Sequence, residues 1–191
     1  DTTVPVTVDD VIYHCRNVSR GLSRAFLVAD MPFMSYSDPN QALENAVRLM
    51  QEGGAMMIKL EGGEDQISIV EHLARHDIAV CAHLGLKPQS VHKIGGFRVQ
   101  GRSENESRKM LKNAISLQNA GADTVLLECV PNELGNSIKE ELDIPVIGIG
   151  AGPNVDGQIL VLYDILGITH GTTPRFVKNF MIGNDSPIMA I

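Results

Sequence analysis

The sequence has no tryptophan and only 4% aromatic residues. This scarcity argues against a base-stacking platform for nucleic acid and against a large aromatic-anchored protein interface. It is also short of positive charge, with 16 Lys and Arg against 23 Asp and Glu and a net charge of −7. That sign is wrong for a protein that binds by neutralising phosphate backbones, which argues against nucleic acid as a partner. Cysteine is scarce as well. Cys15, Cys81 and Cys129 are odd in number, far apart and without a CxxC pair. Neither a disulfide framework nor a zinc cluster is indicated, and a reducing, cytoplasmic setting fits. No apolar run approaches the roughly 20 residues of a membrane span. The stretch Asp1 to Asp10 carries three acids and no basic residue, unlike a signal or transit peptide.

What is present is aliphatic. The 191 residues are 43% hydrophobic, enough for one domain with a sizeable core. Short apolar runs recur, each ending in a polar residue and a loop before a helical pattern begins. They are Ala25 to Ala29, Ala55 to Leu60, Ala79 to Ala82, Thr124 to Leu127 and Pro145 to Ile149. A sixth run, Ile159 to Tyr163, reads equally as strand or helix. Between the runs lies helix punctuation. Asp38, Pro39 and Gln41 read as N-cap, first helical residue and capping-box partner, and Gly53-Gly54 closes that helix. Ser103 and Glu106 form a second capping box, with Gly121 ending the run they open, and Pro131 opens a third helix. Asp10 to Arg20 places Val11, Ile12, Cys15 and Val18 on one helical face.

Near-continuous hydrophobic strands alternating with amphipathic helices predict an α/β fold with a parallel sheet. Asp30, Glu61, His83 and Glu128 fall at or just past the carboxyl ends of different runs. In a (β/α) barrel those ends converge on one mouth, whereas in an open sheet they fan apart. The placement favours a (β/α)₈ TIM barrel. Only five or six strand-helix units are visible, so the expectation is a single domain over residues 1–191. The missing units would precede Asp1.

Asp30, Lys59, Glu61 and Glu128 form the strongest constellation. Hard oxygen ligands such as Asp30 and Glu61 suit Mg²⁺, which needs only one or two protein carboxylates. Lys59 precedes Glu61 by two residues and shares its strand face. A cation, a metal and a separate carboxylate are what an enzyme needs to hold a 2-oxo acid and remove a proton beside its carbonyl. The alternative is that these charges are solvated or structural ion pairs. His83 is a candidate substrate donor or a histidine satisfied by backbone. GIGAG, Gly148 to Gly152, fails the dinucleotide template because Pro153 stands where the third Gly belongs. It reads instead as a close backbone approach. Leu84 to Gly101 is a long basic connection with Lys87, His92, Lys93 and Arg98, either a surface loop or an attractor of anions. The cysteines and the Met-rich pieces read as packing.

At these motifs the sequence resembles the ketopantoate hydroxymethyltransferase family. The strings are VPVTVDD at Val4 to Asp10, ADMPFMSY at Ala29 to Tyr36, IKLEGG at Ile58 to Gly63, AHLGLKPQS at Ala82 to Ser90, GGFRVQGR at Gly95 to Arg102, LLECVP at Leu126 to Pro131, IPVIGIGAG at Ile144 to Gly152, DGQILVLYD at Asp156 to Asp164 and PRFVKNF at Pro174 to Phe180. The resemblance implies a barrel of the phosphoenolpyruvate/pyruvate superfamily that transfers a hydroxymethyl group from 5,10-methylenetetrahydrofolate to 3-methyl-2-oxobutanoate. The product is 2-dehydropantoate, in pantothenate biosynthesis. It further implies Mg²⁺ on Asp30 and Glu61, oxo-acid contacts from Asp30 and Lys59, Glu128 as proton acceptor, and a homo-oligomer, a decamer in the family. Family members carry about two further strands that would lie before Asp1, the second ending in a Gly-Asp-Ser metal motif, and a C-terminal tail, so the resemblance implies a barrel incomplete at the N-terminus and also at the C-terminus. Two alternatives are another Mg-dependent oxo-acid lyase or mutase of the superfamily, whose KKCGH-like loop is not found here, and a non-catalytic barrel remnant.

Overall fold

Six parallel strands alternate with helices, and the strand order in the sheet is the order in the chain. A computed structural model describes residues 2–96, 98–183 and 186. The strands are β1 (Val28–Asp30), β2 (Met57–Glu61), β3 (Val80–Gly85), β4 (Thr124–Glu128), β5 (Val146–Ile149) and β6 (Gly157–Gln158). The helices are α1 (Val8–Gly21), α2 (Pro39–Gln51), α3 (Ile67–Ala74), α4 (Val91–Ile94), α5 (Glu104–Asn119), α6 (Asn132–Glu141) and α7 (Leu162–Ile165). This confirms the α/β class and the parallel sheet. Six units make a curved sheet, and among the described residues β1 and β6 are not paired with each other. The six strands form an open arc, and a full (β/α)₈ barrel is not seen among the described residues.

Helix starts follow the local chemistry. The Ser103–Glu106 capping box forms as expected. A second box, Thr7 with Asp10, starts α1 three residues before the basic-free stretch ends. Asp38 caps α2 through the Asn40 and Gln41 amides, but Gln41 does not close a box on it; Gln41 Oε1 instead accepts from the Ser37 amide and hydroxyl. On α1, Ile12 and Cys15 are buried while Val18 points to solvent.

Two differences lie in the runs. The first run forms a strand only over its last two residues and Asp30. The sixth run, Ile159 to Tyr163, is neither a strand nor a full helix. Its neighbours Gly157 and Gln158 pair with Ile147 and Gly148, and Ile159 N donates one more bond to the Gly148 carbonyl. Leu160 then packs on the inner sheet face before the short helix α7. The Leu84 to Gly101 connection is also more ordered than expected: β3 runs to Gly85, a 3₁₀ turn covers Pro88–Ser90, and α4 follows.

Alternation along the strands splits the sheet into two faces. Ala29, Ile58, Leu60, Val80, Ala82, Val125, Leu127 and Val146 join the main core with the helices. The opposite face is the concave one, with Cys81, Leu126 and Ile149 buried on it beside Met57 and Ile147. Cys15 and Cys81 are buried as expected, whereas Cys129 is half-buried. GIGAG serves packing: a Cβ on Gly150, at φ +64°, would stand 2.6 Å from the Phe176 ring.

Candidate active site

The charged residues form a diagonal across the concave face. Asp30 lies directly opposite Lys59 in the ladder, Lys59 opposite Cys81, and Glu61 opposite His83. His83 is opposite Leu126, and Gly85 is opposite Glu128. The step from Asp30 to Lys59 is level, whereas those from Lys59 to His83 and from His83 to Glu128 each climb the next strand by two residues. Such diagonal neighbours are within reach of long side chains. The result is a line of contacts. Lys59 Nζ is 2.5 Å from Asp30 Oδ1 and 3.4 Å from His83 Nδ1, and His83 Nε2 is 3.2 Å from Glu128 Oε2. Glu61 Oε1 stands 3.9 Å from His83 Nδ1.

All five predicted site residues, Asp30, Lys59, Glu61, His83 and Glu128, line one cavity of about 310 Å³. This is the small end of the range for a site that holds a small molecule. A second cleft between the loop after β2 and α5 is lined by Lys87, Lys109 and Asn113. It contains none of these five.

Burial sets the protonation states. His83 is 1% exposed, and desolvation lowers its pKa, only partly countered by Glu128. The ring is neutral near pH 7. With the Lys59 ammonium on its Nδ1 side, that nitrogen is assigned as the acceptor and Nε2 carries the proton toward Glu128. The Nε2–Glu128 contact is close but lacks the alignment of a full hydrogen bond. Burial pulls the Lys59 ammonium down, but the Asp30 charge and hydrogen bond outweigh it, and Lys59 stays above the ordinary lysine range. Desolvation pushes Glu61 up to about 7, against the opposing pull of Lys59 and the Gln89 amide; the Asp30 and Glu128 charges add to the rise. Burial likewise raises the Tyr36 phenol, and it raises the Cys81 thiol to about 12 and Cys129 to about 11. These thiols are not activated nucleophiles.

The Glu61 shift has a sign that can be tested. Its folded pKa of about 7 exceeds the ordinary 4.5, so its protonated form contributes stability below about pH 4.5 that is lost as pH rises through about 7. In chelator-containing buffer, Glu61→Gln is expected to gain on the wild type by about 1 to 3 kcal/mol between about pH 5 and about pH 8. Urea unfolding at the two pH values checks this, and a pH-independent difference refutes it.

Two site residues were missed from sequence. Gln89 and Tyr36 are buried; Gln89 lines the cavity, and Tyr36 is bonded to it from behind. Gln89 N donates to Glu61 Oε2 at 3.2 Å and Gln89 Nε2 to the Met31 carbonyl at 2.7 Å. Tyr36 OH donates to Gln89 Oε1 at 2.7 Å and accepts from the Glu61 amide at 3.3 Å. The signal was a buried-type polar residue inside MPFMSY and LKPQS, but no local spacing links the two strings.

Asp30 and Glu61 offer hard oxygen donors, and Glu61 is a buried carboxylate whose charge lacks full compensation, a donor that a cation relieves. Among the described residues no group of three His, Cys, Asp or Glu converges to hold a metal. Asp30 and Glu61 would be two carboxylate ligands, a number that Mg²⁺ tolerates with water and substrate oxygens completing its shell. Among the described residues no helix is long and apolar enough to cross a membrane.

The family profile for ketopantoate hydroxymethyltransferase matches residues 1–191. The 3-methyl-2-oxobutanoate hydroxymethyltransferase of Nitrosococcus oceani is 59% identical over 186 residues, covering 97% of this chain and 70% of that protein. Its counterpart from Alkalilimnicola ehrlichii is 61% identical over 186 residues, covering 97% of this chain and 67% of that protein. The crystal structure of 2,3-dimethylmalate lyase, a PEP mutase/isocitrate lyase superfamily member, shares the fold with a TM-score of 0.55 at 14% identity. The match covers 81% of this chain and 55% of that one.

Proposed function

Because the chain belongs to the ketopantoate hydroxymethyltransferase family, we propose that it transfers a hydroxymethyl group from 5,10-methylenetetrahydrofolate to 3-methyl-2-oxobutanoate, giving 2-dehydropantoate for pantothenate synthesis. The observation that carries the reading is the diagonal on the concave face, where a cation, a neutral histidine and three carboxylates meet in one cavity. The superfamily's lyases and mutases share the fold at 14% identity, whereas the hydroxymethyltransferases share more than half of the sequence.

The residues divide the chemistry. Lys59, charged and fixed by Asp30, binds the carboxylate and oxo group of the substrate. Asp30 and Glu61 would hold a divalent cation, which would supply Lewis-acid stabilisation of negative charge on the 2-oxo oxygen. Glu128 accepts the C3 proton, and the electron pair left on C3 forms a bond to the folate methylene carbon. Neutral His83, with its N–H toward Glu128, holds that carboxylate in place and adds no net charge to the site. The methylene carbon exchanges its two C–N bonds for the new C–C bond and a C–O bond to water, the C3 proton and one proton of water end on the two freed nitrogens, and tetrahydrofolate leaves. Homo-oligomeric assembly and a cytoplasmic location are part of the same reading.

The test is tetrahydrofolate release from methylenetetrahydrofolate, dependent on both 3-methyl-2-oxobutanoate and Mg²⁺. The reading is abandoned if a folded protein releases none. Within it, Asp30→Ala is expected to weaken Mg²⁺-dependent binding of the oxo acid about tenfold or more. An unchanged calorimetric titration removes Asp30 from the metal site.

A further inference from the structure

We propose that Tyr36 and Gln89 are positioning residues for Glu61, forming a ring of hydrogen bonds that grips this residue by both its backbone and its carboxylate. The proposal rests on the role given to Glu61 above. The ring has a fixed direction. The Met31 carbonyl can only accept, so the Gln89 Nε2 faces it at 2.7 Å and Oε1 is turned the other way. Oε1 therefore accepts from the Tyr36 hydroxyl at 2.7 Å. With its proton committed, the Tyr36 oxygen has lone pairs left for the Glu61 amide at 3.3 Å. The Gln89 backbone amide closes the ring on Glu61 Oε2 at 3.2 Å.

Each partner has a local reason to be there. Glu61 is the last residue of β2, and β1 ends at Asp30, opposite Lys59. The Glu61 amide thus lies beyond the β1 ladder and needs another acceptor, which a buried N–H cannot go without. Gln89 sits in the 3₁₀ turn Pro88–Ser90, where its amide has no partner within the turn. Both side chains are buried, Tyr36 at 8% and Gln89 at 9% exposure, so solvent does not replace a lost bond. The ring also ties the segment after β1 to the segment after β3. It gives the Leu84 to Gly101 connection a function in the site that its charge did not reveal.

The test uses the full chain with Tyr36→Phe, Gln89→Met, Glu61→Gln and the two double variants. Affinity for Mn²⁺ alone is read by electron paramagnetic resonance, and kcat and KM for the oxo acid are read in the transferase assay. With circular dichroism unchanged, each ring variant is expected to lose about threefold to tenfold in Mn²⁺ affinity. In the Glu61→Gln background the further loss falls below about twofold, because the ring then has no carboxylate to hold. A structural role alone produces the same loss in both backgrounds, and that result overturns the proposal. Full Mn²⁺ affinity in both ring variants overturns it too, as does a Glu61→Gln variant unchanged in both readouts. Should Tyr36→Phe not fold, Gln89→Met carries the same comparison. If the wild type binds Mn²⁺ with intact coupling but releases no tetrahydrofolate, the transferase reading fails and the ring stands.

Discussion

Glu128→Gln is expected to lower turnover at least about a hundredfold while the fold and oxo-acid binding survive. The substitution keeps the shape and removes only the ability to take up a proton. Glu128 ends β4 and reaches the cavity at 18% side-chain exposure, with His83 Nε2 3.2 Å away. The glutamine carbonyl keeps an oxygen beside that imidazole N–H, so the neighbouring side chains have no cause to move. Stopped-flow or steady-state turnover checks the rate, and calorimetry with the oxo acid checks binding. Near-normal turnover would remove Glu128 as the base.

The second large effect is expected from Gly85→Ala, which acts on the same carboxylate through the backbone. Gly85 pairs with Glu128 at the end of β3 and has φ +95°. A Cβ there would overlap the Glu128 carbonyl oxygen and stand 2.9 Å from Val130 Cγ1. Neither obstacle is the far end of a flexible side chain, and the Leu86 amide already bonds that carbonyl at 2.8 Å. Strained backbone and overlap together are expected to cost about 3 kcal/mol or more. Any protein that folds should lose turnover further, because a displacement of about 1 Å at a reacting group costs on the order of a hundredfold. Gly95→Ala is the comparison: φ is +74° but among the described residues nothing lies within 4 Å of the added carbon, so only about 1 kcal/mol of backbone strain is expected. Urea unfolding of both variants separates the cases, and equal losses would refute the steric argument.

The sequence made some of this legible and not the rest, for physical reasons. Ser103 and Glu106 are three residues apart and satisfy each other, so their capping box is local information. Asp30, Glu61 and Glu128 each end an apolar run, and a parallel sheet sends all such ends to one side. The diagonal itself was not readable, because it depends on the stagger between strands, which no single run encodes. Tyr36 and Gln89 meet across two loops and carry no spacing signal. β6 was missed because only Gly157 and Gln158 find ladder partners, and an alternation of two residues is no pattern. Gln41 turned to Ser37 because the neighbouring amide and hydroxyl together offer it two donors.

The strand order has a consequence for how the chain folds. Each strand pairs with the strand that follows it in the sequence, from β1 to β6. Every closure therefore joins neighbours along the polypeptide, and the loop entropy for each step stays modest. A nascent chain leaving the ribosome can dock each new strand-helix unit on the one before it. On that route the diagonal is completed only when β4 arrives: Asp30, Lys59 and His83 are in place before Glu128 is synthesised.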